Sequence, residues 1–163
     1  MLRSHRRQGF SLLEIIVVMA VVGGLFVLGA NTLFAPQRTN TLDTTIDTLL
    51  AEISNQQNKS MNSDTSTGTT KSSYGLYFSA TGYTTFQGST YTAGNSTNFT
   101  TPLHENLRFS SIDLPNSQII FATGSGAMTN YSASHTTVVI QDSVGGLTKT
   151  LHLNQYGVVE SLQ

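Results

Sequence analysis

The sequence predicts an α+β fold. A long N-terminal helix, half membrane-type and half amphipathic, is expected to pack on a C-terminal antiparallel β-sheet domain of two small sheets. Three observations carry this expectation. Residues 15–30 form an uninterrupted apolar run, and Glu14 is the only charged residue between positions 10 and 37. Leu42, Ile46, Leu49, Leu50, Ile53 and Met61 then recur at helical spacing. From residue 74 onward, short alternating runs rich in Tyr, Phe, Val, Ile and Thr are separated by Gly, Asn and Pro, the pattern of strands and turns.

Composition narrows the class. Of 163 residues, 24 are Thr, 19 Ser and 11 Asn, while charged residues make up only 10%. That balance suits a β-rich surface outside the cytoplasm and argues against a charged disordered tail. There is no cysteine, which excludes disulfides, thiolate metal sites and thiol nucleophiles. The length allows one compact domain plus a short extra element. The expected organisation is a basic leader at 1–9, a transmembrane helix at 10–35, an amphipathic stem helix at 36–62 and a β-rich globular domain at 63–163.

The N-terminal segment is read first because its charge is asymmetric. Arg3, Arg6 and Arg7 give residues 1–9 a charge of +3, whereas the rest of the chain holds five Lys/Arg and nine Asp/Glu and sums to −4. Residues 10–35 as a helix would extend roughly 39 Å at about 1.5 Å per residue, enough for a hydrocarbon core of about 30 Å. The positive-inside rule puts 1–9 in the cytoplasm and the rest outside. An ordinary cleaved secretory signal fits poorly, because Leu28 and Leu33 stand where small residues are needed two positions before Ala30 and Ala35. A plain single-span anchor is the other simple reading.

Glu14 needs an explanation under either. An ionised carboxylate near the bilayer centre costs about 2.5–3.5 kcal/mol on insertion scales, so such an acid normally has a partner. No Lys or Arg in the span can serve. The bland alternative is an interfacial acid at a helix start, favoured by the helix dipole. Gly23, Gly24 and Gly29 are read equally as tolerated in lipid or as permitting close packing or local melting in an assembly. Pro36 is expected to end or kink the helix near Phe34 or Ala35.

The stretch Gly9-Phe10-Ser11-Leu12-Leu13-Glu14 resembles the class III signal of type IV pilins and type II secretion pseudopilins. In that family a basic leader ends in Gly, a Phe begins the mature chain, a Glu stands fifth in it, and about twenty apolar residues follow. The resemblance covers roughly residues 3–35. It implies cleavage between Gly9 and Phe10 by a membrane-embedded prepilin peptidase, which would also methylate the new amino group of Phe10. It further implies that Glu14 of one subunit pairs with the Phe10 amine of a neighbour in a filament.

The second helical segment is expected from about Thr41 to Met61, capped by Asn40 or Thr41, with its stripe packed on a sheet. Its polar face is acidic and Thr-rich, which disfavours a membrane-surface role. Residues 62–73 read as a polar loop. A hairpin is expected from 74–80 and 83–87, a loop over 88–101, and short strands at 107–110 and 118–122 around a Pro115-Asn116 turn. A second hairpin follows from 136–141 and 147–153, and a last strand at 158–160. The 74–87 hairpin, Ile119-Ile120-Phe121 leading to Gly124 and Gly126, the 138–153 hairpin and Asn154 through Gly157-Val158-Val159 together resemble the H-type minor pseudopilin domain, shared with some type IV minor pilins.

No catalytic constellation emerges. His5, His104, His135 and His152 lack metal-ligand spacing, and Asp64, Asp113 and Asp142 are too scattered for a calcium loop. Gly124-Ser125-Gly126 lacks the spacing of a nucleophile elbow. No enzyme, cofactor or metal is expected. Nucleic-acid binding is not expected either, unless Arg108 and Lys149 converge, because phosphate contacts need clustered cations. Four Asn-x-Ser/Thr triplets begin at Asn58, Asn95, Asn98 and Asn130.

The expected function is that of a minor pilin or pseudopilin in a type II secretion or type IV pilus filament, acting in filament initiation. The expected partners are other pilins or pseudopilins, the prepilin peptidase, an inner-membrane assembly platform and the lipid bilayer. The chain would sit as a single pass in the inner membrane before assembly, with the β-domain periplasmic or extracellular. A tip adhesin or DNA-uptake subunit on the same scaffold, or a simple membrane-anchored β-domain, remain the alternatives.

Overall fold

A computed structural model describes residues 11–62, 72–157 and 159–162, with side chains described outside 27–38 and 159–162. The basic leader, Gly9 and Phe10, most of the polar loop, and Val158 therefore lie outside the described residues. The architecture is α+β: one helix, α1 (Leu12–Met61), then eight strands in two antiparallel sheets. The chain divides into two compact units, 1–37 and 38–163.

In the first unit, Ser11 caps the start of α1. Its hydroxyl accepts a hydrogen bond from the Glu14 backbone N–H at 3.2 Å, satisfying a donor that the first turn leaves without an intrahelical partner. Every residue from 11 to 26 is exposed, and the large apolar side chains run from Ile15, Val17 and Val22 at 52% to Phe26 at 79%. Among the described residues, no helix is long and apolar enough to cross a membrane. The expectation that Pro36 ends the helix, with a new cap at Asn40 or Thr41, is corrected: α1 runs without interruption from Leu12 to Met61. Proline removes one backbone donor and crowds the preceding turn at about 3 kcal/mol, but the backbone bonds of the turns on either side remain available.

In the second unit, the apolar stripe of α1 does what its spacing predicts. Leu42, Ile46, Leu49 and Ile53 are at most 4% exposed and belong to a single core shared by both sheets. Leu50 packs at its margin. Met61 departs from the expected stripe and is 45% exposed, because it stands in the last turn.

The first sheet has the order β3-β2-β1-β5, with β1 (Tyr74–Ser79), β2 (Gly82–Gln87), β3 (Phe99–Pro102) and β5 (Gln118–Phe121). The second has the order β4-β6-β7-β8, with β4 (Leu107–Asp113), β6 (Thr137–Asp142), β7 (Thr148–Leu153) and β8 (Val159–Leu162). Both expected hairpins form. Tyr74 pairs with Gln87 and Ser79 with Gly82, and Thr137 pairs with His152 and Gln141 with Thr148. The expected Pro115-Asn116 turn is a single 3-10 turn, Pro115–Ser117, with Asn116 and Ser117 both in the left-handed region (φ 54° and 53°). β3 corrects the expectation of a loop over 88–101. It pairs with β2 through Thr85–Phe99 and Gly82–Pro102. Its Phe-Thr-Thr core favours a strand, though the surrounding Gly, Ser and Asn hide the signal.

The two sheets meet at an edge-to-face contact between Phe78 and Phe109, with ring centroids 5.4 Å apart. Nearby, the Phe109 N–H donates to the Ala80 carbonyl at 3.0 Å. The end of α1 is tied to the first sheet and to neighbouring turns by polar side chains. Ser60, fully buried, donates to the Phe121 carbonyl at 3.1 Å and accepts from the Tyr74 N–H at 2.9 Å. Gln57 Nε2 donates to the carbonyls of Gly126 (2.8 Å) and Tyr156 (2.7 Å). Gly75 permits the closest strand approach: a Cβ there would lie 2.3 Å from the Ile119 carbonyl oxygen and 2.7 Å from the Phe86 ring.

Candidate functional site

The N-terminal site is built on the first turns of α1. The expected cleavage pair, Gly9 and Phe10, lies outside the described residues, so Glu14 carries the described part. It stands in the first turn, three residues after its capping serine. With Ile15, Val18 and Met19 it borders a cleft of about 310 Å³. Spacings of one, four and five residues put these side chains on one stretch of helix surface. Glu14 makes no ion pair among the described residues. The result is one carboxylate at the edge of a helix that is apolar on all its faces. Such a helix is normally covered by lipid or by protein.

The match to known families falls on this segment. Residues 4–28 match the family model described as the prokaryotic N-terminal methylation motif. The chain carries the class III signal of type IV pilins. No curated protein and no solved structure matches the chain. The methylation motif spans the leader from Ser4 onward, Gly9, Phe10, Glu14 and most of the apolar run, and it supports a pilin or pseudopilin relationship for the chain. It suggests a structural subunit rather than an enzyme. It is also consistent with membrane anchoring followed by a place in a filament, and with other pilins and a prepilin peptidase as partners in general.

The β-domain is a separate surface, and the structure keeps its cations apart. Arg108, on β4, pairs with Gln141 on β6, and its guanidinium donates to Gln141 Oε1 at 2.9 and 3.3 Å. Lys149, on β7, stands opposite the buried Ile140, and its ammonium pairs with the Asp43 carboxylate on α1. Cross-strand partners share a face and successive residues alternate. Arg108 and Lys149 thus lie on opposite faces of the second sheet, and the convergence that a phosphate-binding patch needs does not form.

The remaining polar groups are dispersed. His135 Nδ1 lies 2.5 Å from Asp113 Oδ1, with both side chains about half exposed. Among the described residues, no group of three or more His, Cys, Asp or Glu could hold a metal ion. A cavity of about 510 Å³ opens between the end of α1 and the first sheet, lined by both polar and aromatic residues, among them Gln56, Lys59, Tyr74, Phe86, Gln87 and Thr97. Asp142 is 2% exposed; its Oδ1 accepts from the Val144 N–H at 2.9 Å, and its Oδ2 has no hydrogen-bond partner.

Sequence reasoning missed Ser60 and Gln57, and weighed Asp142 only as a calcium ligand. The Asp-Ser-Val-Gly-Gly run at 142–146 did hold a signal for Asp142, because Asp side chains fold back on backbone donors two residues on. Nothing distinguished Ser60 from the other serines.

Proposed function

We propose that this chain is a minor pilin or pseudopilin. It would be inserted with residues 1–9 in the cytoplasm, cut between Gly9 and Phe10, N-methylated on Phe10, and assembled into a type II secretion or type IV pilus filament. The observation that carries this reading is the methylation motif at 4–28 together with a helix start that exposes apolar side chains all round and a single acid, Glu14. In water such a surface is costly at roughly 25 cal/mol per Å² of apolar area. In a membrane it is covered by lipid, and in a filament by the same segment of neighbouring subunits. Glu14 then has the Phe10 amine of a neighbour as its partner, which offsets the cost of a carboxylate in an apolar bundle. The β-domain faces outward and acts in filament initiation. The assembly platform of the inner membrane and the other subunits are its partners.

A second reading of Glu14 has its own observation. The hydrogen bond from the Glu14 N–H to the Ser11 hydroxyl makes the Ser-x-x-Glu sequence part of a helix cap. Glu14→Gln separates the two, because Gln serves a cap equally well and carries no charge. In cells that assemble the filament, Glu14→Gln is expected to leave the subunit in the membrane fraction and absent from sheared filaments. Wild-type incorporation of Glu14→Gln would contradict the charge-pair role and leave the cap. The separation of Arg108 from Lys149 gives a DNA-uptake role no support at that pair.

A further inference from the structure

The chain has four Asn-x-Ser/Thr triplets, and the fold treats them very differently. In Asn58-Lys59-Ser60, the serine hydroxyl is fully buried and hydrogen-bonded to two strands. No transferase can read it in the folded protein. In Asn130-Tyr131-Ser132, the asparagine amide holds the edge of β5: Nδ2 donates to the Gln118 carbonyl at 2.7 Å, and Oδ1 accepts from the Ile120 N–H at 3.1 Å. In Asn98-Phe99-Thr100, Nδ2 donates to the Thr92 carbonyl at 2.8 Å, and the threonine hydroxyl lies 2.9 Å from that of Thr84 across β2 and β3.

Asn95-Ser96-Thr97 differs in each respect. All three residues are exposed, in the segment between β2 and β3, and none belongs to a strand or helix. Asn95 Oδ1 accepts from the Thr97 N–H and from the Thr97 hydroxyl, both at 3.1 Å. The amide and the hydroxyl at the second position on are therefore side by side, facing solvent. Asn95 Nδ2 makes no hydrogen bond among the described residues. The loop carrying them is anchored on both sides, by the Tyr91 N–H donating to Gln118 Oε1 and by β3 itself. The triplet can be handled by an enzyme without unfolding the domain.

We propose that Asn95 is an N-linked glycosylation site, modified with an oligosaccharide supplied by a lipid-pyrophosphate donor outside the cytoplasm. The step is a substitution at the sugar's anomeric carbon. Asn95 Nδ2 forms the new C–N bond, and the bond from that carbon to the pyrophosphate oxygen breaks. The oxygen leaves with the electron pair, and one amide proton passes to a base of the transferase. Nothing is oxidised or reduced. The proposal rests on the export reading above, because a chain retained wholly in the cytoplasm would not meet such a donor.

The test is peptide mapping by mass spectrometry of the full-length protein isolated from its own cells, with fragmentation that keeps the sugar attached. A sugar mass on Asn95 is expected. It is expected to disappear in Asn95→Gln and Thr97→Ala, and to persist in Asn98→Gln and Thr97→Ser. Bare Asn95, or sugar on Asn58, Asn98, Asn130 or the hydroxyls of Ser96 or Thr97, would overturn the proposal. The same digest reads the N-terminus. A Phe10 start with bare Asn95 defeats the glycosylation site alone. A Met1 start with sugar on Asn95 defeats the cleavage reading and leaves the site standing.

Discussion

The hydroxyl of Ser60 serves the sheet as much as the helix that carries it. It is fully buried, and it joins the Phe121 carbonyl to the Tyr74 N–H. Ser60→Ala leaves both backbone groups without that partner and is expected to lower stability by about 1–3 kcal/mol, read as a reduced urea midpoint. Gly75→Ala should be worse tolerated. Its Cβ would meet a backbone oxygen of β5, and overpacking of this kind costs about 1–3 kcal/mol or more. Tyr83 sets a pH dependence. Burial raises its phenol pKa, and nearby Glu52 adds to the rise, while a hydrogen bond with the Thr101 side chain works against it. The unfolded chain then loses this proton first, so above the ordinary tyrosine pKa of about 10 the unfolded state binds fewer protons than the folded one. Stability should fall as pH rises from there, and Tyr83→Phe should flatten that part of the alkaline unfolding curve. At this scale the sequence was partly readable. Glu14 stood out because an acid in an apolar run has few explanations, whereas Ser60 is one of 19 serines and only its burial distinguishes it.

The elements follow their periodicities where one face is buried. Leu42, Ile46, Leu49 and Ile53 form the inner face of α1, and the alternation of β6 places Val138 and Ile140 in the core. Leu49→Ala is expected to cost about 2–5 kcal/mol, since a fully buried leucine leaves a cavity that the two sheets cannot readily fill. Hairpins were legible because their turns are local. The course of the first sheet was not: β5 lies beside β1, after β4 has been placed in the other sheet. That pairing depends on Gly75 admitting the close approach, which no local signal marks. β3 was hidden because it pairs on one side only and its residues are largely exposed. Pro36 misled for a related reason: a proline lowers the local preference for helix without dictating the outcome in turns that hold on either side of it.

The molecule as a whole carries two kinds of surface. The second unit, 38–163, has its own core and a polar exterior, and it is expected to fold alone as a cooperative monomer in calorimetry. The first unit has an exposed apolar surface and meets no such condition in water. The motif at 4–28 is consistent with membrane anchoring followed by a place in a filament, and removal of residues 1–9 would leave a chain with five cations and nine anions, net −4. The central claim is that cleavage at Gly9 and Phe10 commits this chain to assembly. Intact-protein mass spectrometry of the membrane-extracted chain, from cells with and without the prepilin peptidase, tests it most directly. The account predicts a chain beginning at N-methylated Phe10 only when the peptidase is present. A chain beginning at Met1 or Leu2 in both, or cut near Ala30 or Ala35, would contradict it.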